Sequence, residues 1–190
     1  VRVSGGAFGP GFDPDQVTRE VVGAATFLWT SCDKGSMDWH VGNRRGRQQL
    51  NRLSRIEGFG CGGDPDNPPP VDEARYTGSW YNPDRSGEGY VVQILTDNRA
   101  VVYWFSYGPE GQRRWFYGIG ALQNGLWRFE DFYTTAGPVF GDGYNPDDFN
   151  LLPWGTLELD LDCAGGEARY TSTEPGFGSG SMSVRQLTRL

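Results

Sequence analysis

The sequence predicts an antiparallel all-β protein: an up-and-down, eight-stranded, barrel-like repeat preceded by a half repeat, with a two-sheet β-sandwich as the runner-up. Three observations carry this reading. Glycine (29 of 190 residues) and aromatic side chains (14%) are abundant while Met is scarce, a mixture that favours short strands joined by tight turns. Leu157, Leu159, Leu161 and Cys163 alternate with Glu158, Asp160 and Asp162, the period of two that gives a strand one dry and one wet face. The chain also repeats itself. Phe8-Gly9-Pro10-Gly11-Phe12-Asp13-Pro14-Asp15 reads against Phe140-Gly141-Asp142-Gly143-Tyr144-Asn145-Pro146-Asp147, Cys32 meets Cys163, Trp39 meets Tyr170, and Leu50-Asn51-Arg52-Leu53 meets Val184-Arg185-Gln186-Leu187.

The offset between copies is nearly constant, so residues 1–61 match only the back half of 76–190, from about Asp131 onward. Residues 62–75, with Gly62-Gly63-Asp64-Pro65 and Pro68-Pro69-Pro70, read as a linker, extended where the prolines run. The full repeat opens on a short strand, Gly78 to Tyr81, stopped by the turn from Asn82 to Gly87. Gly89 to Thr96 is the second strand, and Asp97-Asn98 is a hairpin signal. Ala100 to Tyr107 follows, then the turn Gly108-Pro109-Glu110-Gly111, a strand from Arg114 to Leu122, and Asn124-Gly125 opening a fifth from Leu126 to Tyr133. After a longer loop come the leucine-alternating strand, Glu167 to Thr173, and Ser181 to Leu190. Eight strands joined mainly by hairpins favour closure, because a barrel removes exposed sheet edges.

A net charge of −7 argues against nucleic acid, which needs clustered Lys and Arg; the run from Arg44 to Arg55 reads as an exposed strand and turn. No stretch approaches the ~20 apolar residues of a membrane-spanning helix. Val1 to Gly6 has no charged leader and apolar block, so a mature or internal segment is expected. With one His and three Cys, none in a CxxC pair, a zinc site is not expected.

Gly78, Trp80, Asn82, Pro83, Ser86, Gly87, Glu88 and Gly89 spell Gly-x-Trp-x-Asn-Pro-x-x-Ser-Gly-Glu-Gly, followed by Trp104-Phe105, Trp115, Phe140-Gly141, Cys163 and Leu187-Thr188-Arg189-Leu190. This pattern resembles that of bacterial extracytoplasmic β domains that occur in tandem. The resemblance spans residues 76–190 and, truncated, 7–61; it implies architecture and an extracellular or periplasmic location, and carries no chemistry. It also implies a second Cys a few residues after the closing strand. Cys61 holds that place in the first copy, so a Cys32–Cys61 disulfide is expected, and the partner of Cys163 is expected beyond Leu190.

The candidate sites are few. His40 as a catalytic base has no counterpart in the second copy, where Thr171 stands, and reads as an exposed strand residue. Glu130-Asp131 and Glu158, Asp160, Asp162 offer the carboxylates that glycoside hydrolysis needs, but alternating acids opposite leucines are the usual solvated side of a strand. Asp13, Asp15, Asn145, Asp147 and Asp148 recur in both copies as oxygen-rich loops of the kind that hold Ca²⁺. Their spacing matches no complete calcium loop, and Asx-Pro turns are the simpler reading. No other cofactor is expected. Trp80, Tyr81, Trp104, Trp115 and Trp127 lie on adjacent strands with Tyr103 and Tyr117, and flat aromatic faces stack on sugars and other planar ligands.

The leading expectation is therefore a non-enzymatic extracellular structural or assembly module, a filament or surface-layer subunit among the options. Its partners would be other protein chains or an upstream segment that completes the half repeat. Phe27, Leu28, Trp29, Leu50 and Leu53 would need that cover. A carbohydrate- or small-ligand-binding barrel ranks second and a hydrolase third.

Overall fold

A computed structural model describes residues 1–58, 72–85, 87–139, 141, 143–163 and 165–188. Its strands are β1 (Arg2–Ser4), β2 (Thr18–Glu20), β3 (Gly23–Trp29), β4 (Lys34–Val41), β5 (Arg44–Asn51), β6 (Gly78–Tyr81), β7 (Gly89–Leu95), β8 (Arg99–Tyr107), β9 (Arg113–Gln123), β10 (Leu126–Ala136), β11 (Asn150–Leu161), β12 (Gly166–Ser172) and β13 (Ser179–Gln186). Most of the expected linker, and Cys61 with it, lies outside the described residues; Asp72–Tyr76 forms a 3-10 turn leading into β6.

The eight strands β6 to β13 form one closed antiparallel barrel. Each pairs with its neighbour in sequence, and the last ring contact joins Arg185 to Tyr81 and Gln186 to Trp80. Closure pairs every strand on both sides, so the ring has no edge. The turn chemistry follows from the residues. Asp97 and Asn98 take φ of 62° and 55°, and Asn124 and Gly125 take 53° and 82°, the left-handed pair a tight hairpin needs. In β10 a register shift between Phe129 and Phe132 marks a bulge. It leaves Glu130 and Asp131 both outward while Phe129 and Phe132 both point in.

Alternation fills the interior. Trp80, Tyr90, Trp104, Phe116, Trp127 and Trp154 are each at most 1% exposed, and Leu157, Leu159 and Leu161 supply the dry face of β11 that their spacing predicts. Tyr107 points outward yet is buried. Gly6 lies on its ring so closely that a Cβ there would stand 2.3 Å from it.

The remaining strands form two small sheets, β1–β2 and β3–β4–β5. The register of the latter copies the back of the barrel. Trp39 faces Gly46 across β4–β5 as Tyr170 faces Gly180 across β12–β13; Trp29 faces Gly35 as Leu161 faces Gly166. Likewise β1 meets β2 with Ser4 opposite Thr18, as Ala136 meets Asn150. The difference is burial. Phe27, Leu28 and Trp29 are 52%, 57% and 66% exposed, and β3 and β5 are the edges of their sheet.

The loops after β1 and β10 share two turns among their described residues. Asp13 accepts from the Asp15 N–H at 3.0 Å and Asn145 from the Asp147 N–H at 3.1 Å, with backbone angles of −124°, 111° and −124°, 116°. Just ahead, the Phe12 N–H donates to the Gly9 carbonyl and the Tyr144 N–H to the Gly141 carbonyl. Gly9 and Gly141 sit at φ of 73° and 92°, which only glycine adopts freely.

Candidate functional site

The most constructed place in the molecule is the mouth of the barrel, at the end where the β6–β7, β8–β9 and β12–β13 turns gather. The β6–β7 turn delivers Arg85 and Glu88. Gly87 has φ of 96°, and a Cβ there would strike the Tyr107 hydroxyl at 2.5 Å, so glycine is what allows the turn to fold back and carry Glu88 inward. The carboxylate is 5% exposed. It accepts from Trp104 Nε1 at 3.2 Å and Ser106 Oγ at 2.9 Å through one oxygen, and from Arg85 Nε at 2.7 Å through the other. A buried charge is tolerated when paired and fully hydrogen-bonded in this way.

Arg85 then faces the loop that follows β1. Its Nη1 donates to the Gly9 carbonyl at 2.9 Å, and its guanidinium lies 4.8 Å from the centre of the Phe12 ring. The preceding residue, Phe8, is 8% exposed and inserts into the mouth. Its ring stands 5.5 Å from Trp104, 5.2 Å from Tyr170 and 4.7 Å from Phe177, in the tilted and edge-on arrangements that aromatic quadrupoles favour. The Phe8 N–H reaches the Gly108 carbonyl. On the far side Arg114 grips Glu174 through two hydrogen bonds of 3.0 and 2.7 Å and lies over Phe177. Residues of the loop after β1 thus stopper the barrel formed by β6 to β13.

Burial shapes the titration of the groups nearby. Tyr90 has its pKa pushed well above the tyrosine value, by burial first and by the Glu88 carboxylate and Tyr170 after it. Tyr107 and Tyr170 are raised by burial as well.

The aromatic candidates separate. Trp80, Trp104 and Trp127 belong to the packed core, with Trp80 Nε1 donating to the Tyr76 carbonyl at 2.9 Å; their faces are taken by other core side chains. Tyr81 is half-buried at the end of β6. Only Trp115, 38% exposed, presents a face outward. It stacks 5.7 Å from Tyr117, which stands 6.3 Å from Tyr103 and 6.1 Å from Tyr133. These rings form a ladder across β8, β9 and β10, flanked by Phe105 and Ile119, 50% and 56% exposed.

The acidic candidates do not converge. Glu158 pairs with Arg128 and lies opposite Arg169, Glu130 and Asp131 point outward at the bulge, and Asp160 and Asp162 are exposed. His40 is exposed on β4, opposite Arg45. Asp13 and Asn145 cap their 3-10 turns, Asp13 also accepting from Gln16 and Asp148 from Asn145; Asp15 and Asp147 are exposed. Among the described residues no three His, Cys, Asp or Glu gather as a metal site would require, and no helix is long and apolar enough to cross a membrane.

The stopper residues Phe8, Arg85 and Glu88 escaped sequence reasoning as a unit. Two signals pointed to them: the Phe-Gly-x-Gly-aromatic string that occurs twice in the sequence, and an Arg and a Glu three apart inside a Gly-rich turn. Comparison with protein-family models, curated proteins and solved structures found no match.

Proposed function

We propose that this chain is a non-enzymatic extracellular structural module whose role is assembly. The observation that carries the reading is the contrast between its two parts. One barrel is closed, filled and stoppered. Beside it stands a three-stranded sheet with two edge strands and with Phe27 and Trp29 more than half exposed. Open edges and uncovered aromatic side chains are the features that recruit further β-structure. Light scattering and electron microscopy of the purified chain test this. Assembly into species larger than one chain is expected, and loss of it in the Phe27→Ser/Trp29→Ser variant, whose changes fall on exposed positions. A folded monomer whose residues 1–56 resist proteolysis would overturn the reading.

A second reading, ligand binding, is favoured by the outer aromatic ladder. A row of neighbouring rings with Trp115, Phe105 and Ile119 partly exposed offers a flat apolar platform for a glycan chain to stack on. Glycan-array binding that disappears in Trp115→Ala supports it; an array without signal removes it.

A further inference from the structure

The two equivalent loops reach into equivalent places. The loop after β1 enters the barrel mouth over Tyr170 and Gly180. The loop after β10, through Val139, Gly141 and Tyr144, lines a cavity of about 430 Å³ with Trp39, Gly46 and Gln48. Trp39 and Gly46 are a cross-strand pair of β4–β5, as Tyr170 and Gly180 are of β12–β13. The close approach is the same in both: a Cβ on Gly46 would meet the Trp39 ring at 2.4 Å, and one on Gly180 the Tyr170 hydroxyl at 2.5 Å. Each copy's loop therefore lies at the other copy's mouth.

The exchange is lopsided in one respect. The barrel side has Arg85 and Glu88 to grip the Gly9 carbonyl and bury the stopper. On the β3–β4–β5 side, no counterpart of that pair is present among residues 1–58, and Tyr144 is left 61% exposed. The same absence explains the sheet's uncovered face. Phe27 and Trp29 hold the register positions of Leu159 and Leu161, which the barrel buries to 1% and 8% exposure.

We infer that β3–β4–β5 is one wall of a second barrel standing mouth to mouth with the first. The partner that closes it is an antiparallel β-segment bearing an Arg-x-x-Glu turn, of the kind residues 78–133 form here. Its Arg meets the Gly141 carbonyl as Arg85 meets that of Gly9, its strands pair with the β3 and β5 edges, and Phe27 and Trp29 become core. This deepens the assembly reading by naming what is recruited and where.

The test places a second copy of residues 72–133 directly ahead of Arg2 in the full chain, in place of Val1, so that the inserted strand runs on into β1 as β10 runs through Thr134. Hydrogen exchange is read strand by strand. Amides of β3–β5 are expected to slow by roughly a hundredfold or more, toward the rates of β11–β13, and replacing the inserted Arg-x-x-Glu pair by Ala is expected to reverse the gain and expose the loop after β10. A folded fusion whose β3–β5 amides exchange as fast as in the 190-residue chain overturns the inference. Should the fusion fail to fold, the 72–133 polypeptide is supplied in trans during refolding. A protease-resistant one-to-one complex then supports the inference, and its absence overturns it. A monomeric 190-residue chain would defeat the assembly reading alone, because closure by the fused segment does not depend on self-association.

Discussion

Glu88 concentrates the energetics of the mouth in one side chain. Its carboxylate holds three donors, and removing it strands Trp104 Nε1, Ser106 Oγ and the Arg85 guanidinium. Breaking a buried pair from one side typically costs about 3–5 kcal/mol, so Glu88→Ala should lower stability by that order in urea unfolding. Glu88→Gln, which keeps an acceptor oxygen and the volume, should lose less. Trp80 makes the complementary case for packing: it is 1% exposed with its N–H satisfied by Tyr76. Trp80→Ala should cost about 3–5 kcal/mol, and an unchanged melting temperature would show that the barrel does not depend on it. Tyr90 gives a pH signature. Its folded pKa is raised, chiefly by burial, so the neutral phenol is favoured by folding and that contribution is fully present below the ordinary tyrosine pKa near 10. As pH climbs past about 10 toward the raised folded value, the contribution is lost. Urea midpoints should fall over that range in step with tyrosinate absorbance, and a flat midpoint would refute the assignment.

At the scale of elements, the stopper is the connection most exposed to test. Phe8 touches four aromatic rings of the barrel, while the rest of its loop is held by a few hydrogen bonds and by the contacts of Phe12 with Arg85 and of Gly6 with Tyr107. Phe8→Ala should release residues 5–16 to fast hydrogen exchange and lower the barrel's own stability by about 1–3 kcal/mol, less than a fully enclosed core aromatic. Near-UV circular dichroism should weaken as Trp104 and Tyr170 lose a ring neighbour. Sequence reasoning located the strands of the barrel to within a few residues because alternation and left-handed turn pairs are local signals: Asp97-Asn98 and Asn124-Gly125 each mark a hairpin without help from the rest of the chain. β11 begins at Asn150, ahead of the leucine alternation, because Leu151, Leu152 and Pro153 break the period of two where β11 leaves the barrel and lies exposed. What fills the mouth was not legible for a different reason. Phe8 and Arg85 are 77 positions apart in the chain, and no periodicity links a stopper to the turn that grips it. The aromatic candidates mixed inward and outward faces of neighbouring strands, and only the ring's closure decided that Trp104 is core and Trp115 is surface.

At the scale of the whole molecule, stability should divide along the same line as burial. The barrel buries its aromatic interior within a closed ring. The β3–β4–β5 sheet has one hydrogen-bonded neighbour on each outer strand and little apolar cover, which is the profile of a low-stability unit that opens locally. A disulfide between Cys32 and Cys61, which the resemblance to tandem extracytoplasmic domains implies, would act on that unit alone. Cys32 sits in the β3–β4 turn, outside the barrel, and Arg52 Nε donates to its carbonyl at 2.8 Å. Closing a loop of some thirty residues would contribute about 3–4 kcal/mol by chain-entropy reasoning. The expected outcome is selective. Peptide mapping without reduction should recover Cys32 linked to Cys61, and adding reductant should speed exchange at β3–β5 amides by roughly a hundredfold while leaving β7–β12 unchanged. A free Cys61 thiol in the unreduced map would remove the crosslink from the account. A crosslink whose reduction slackened the barrel equally would show instead that sheet and barrel unfold as one cooperative body, with the exchanged loops strong enough to join them.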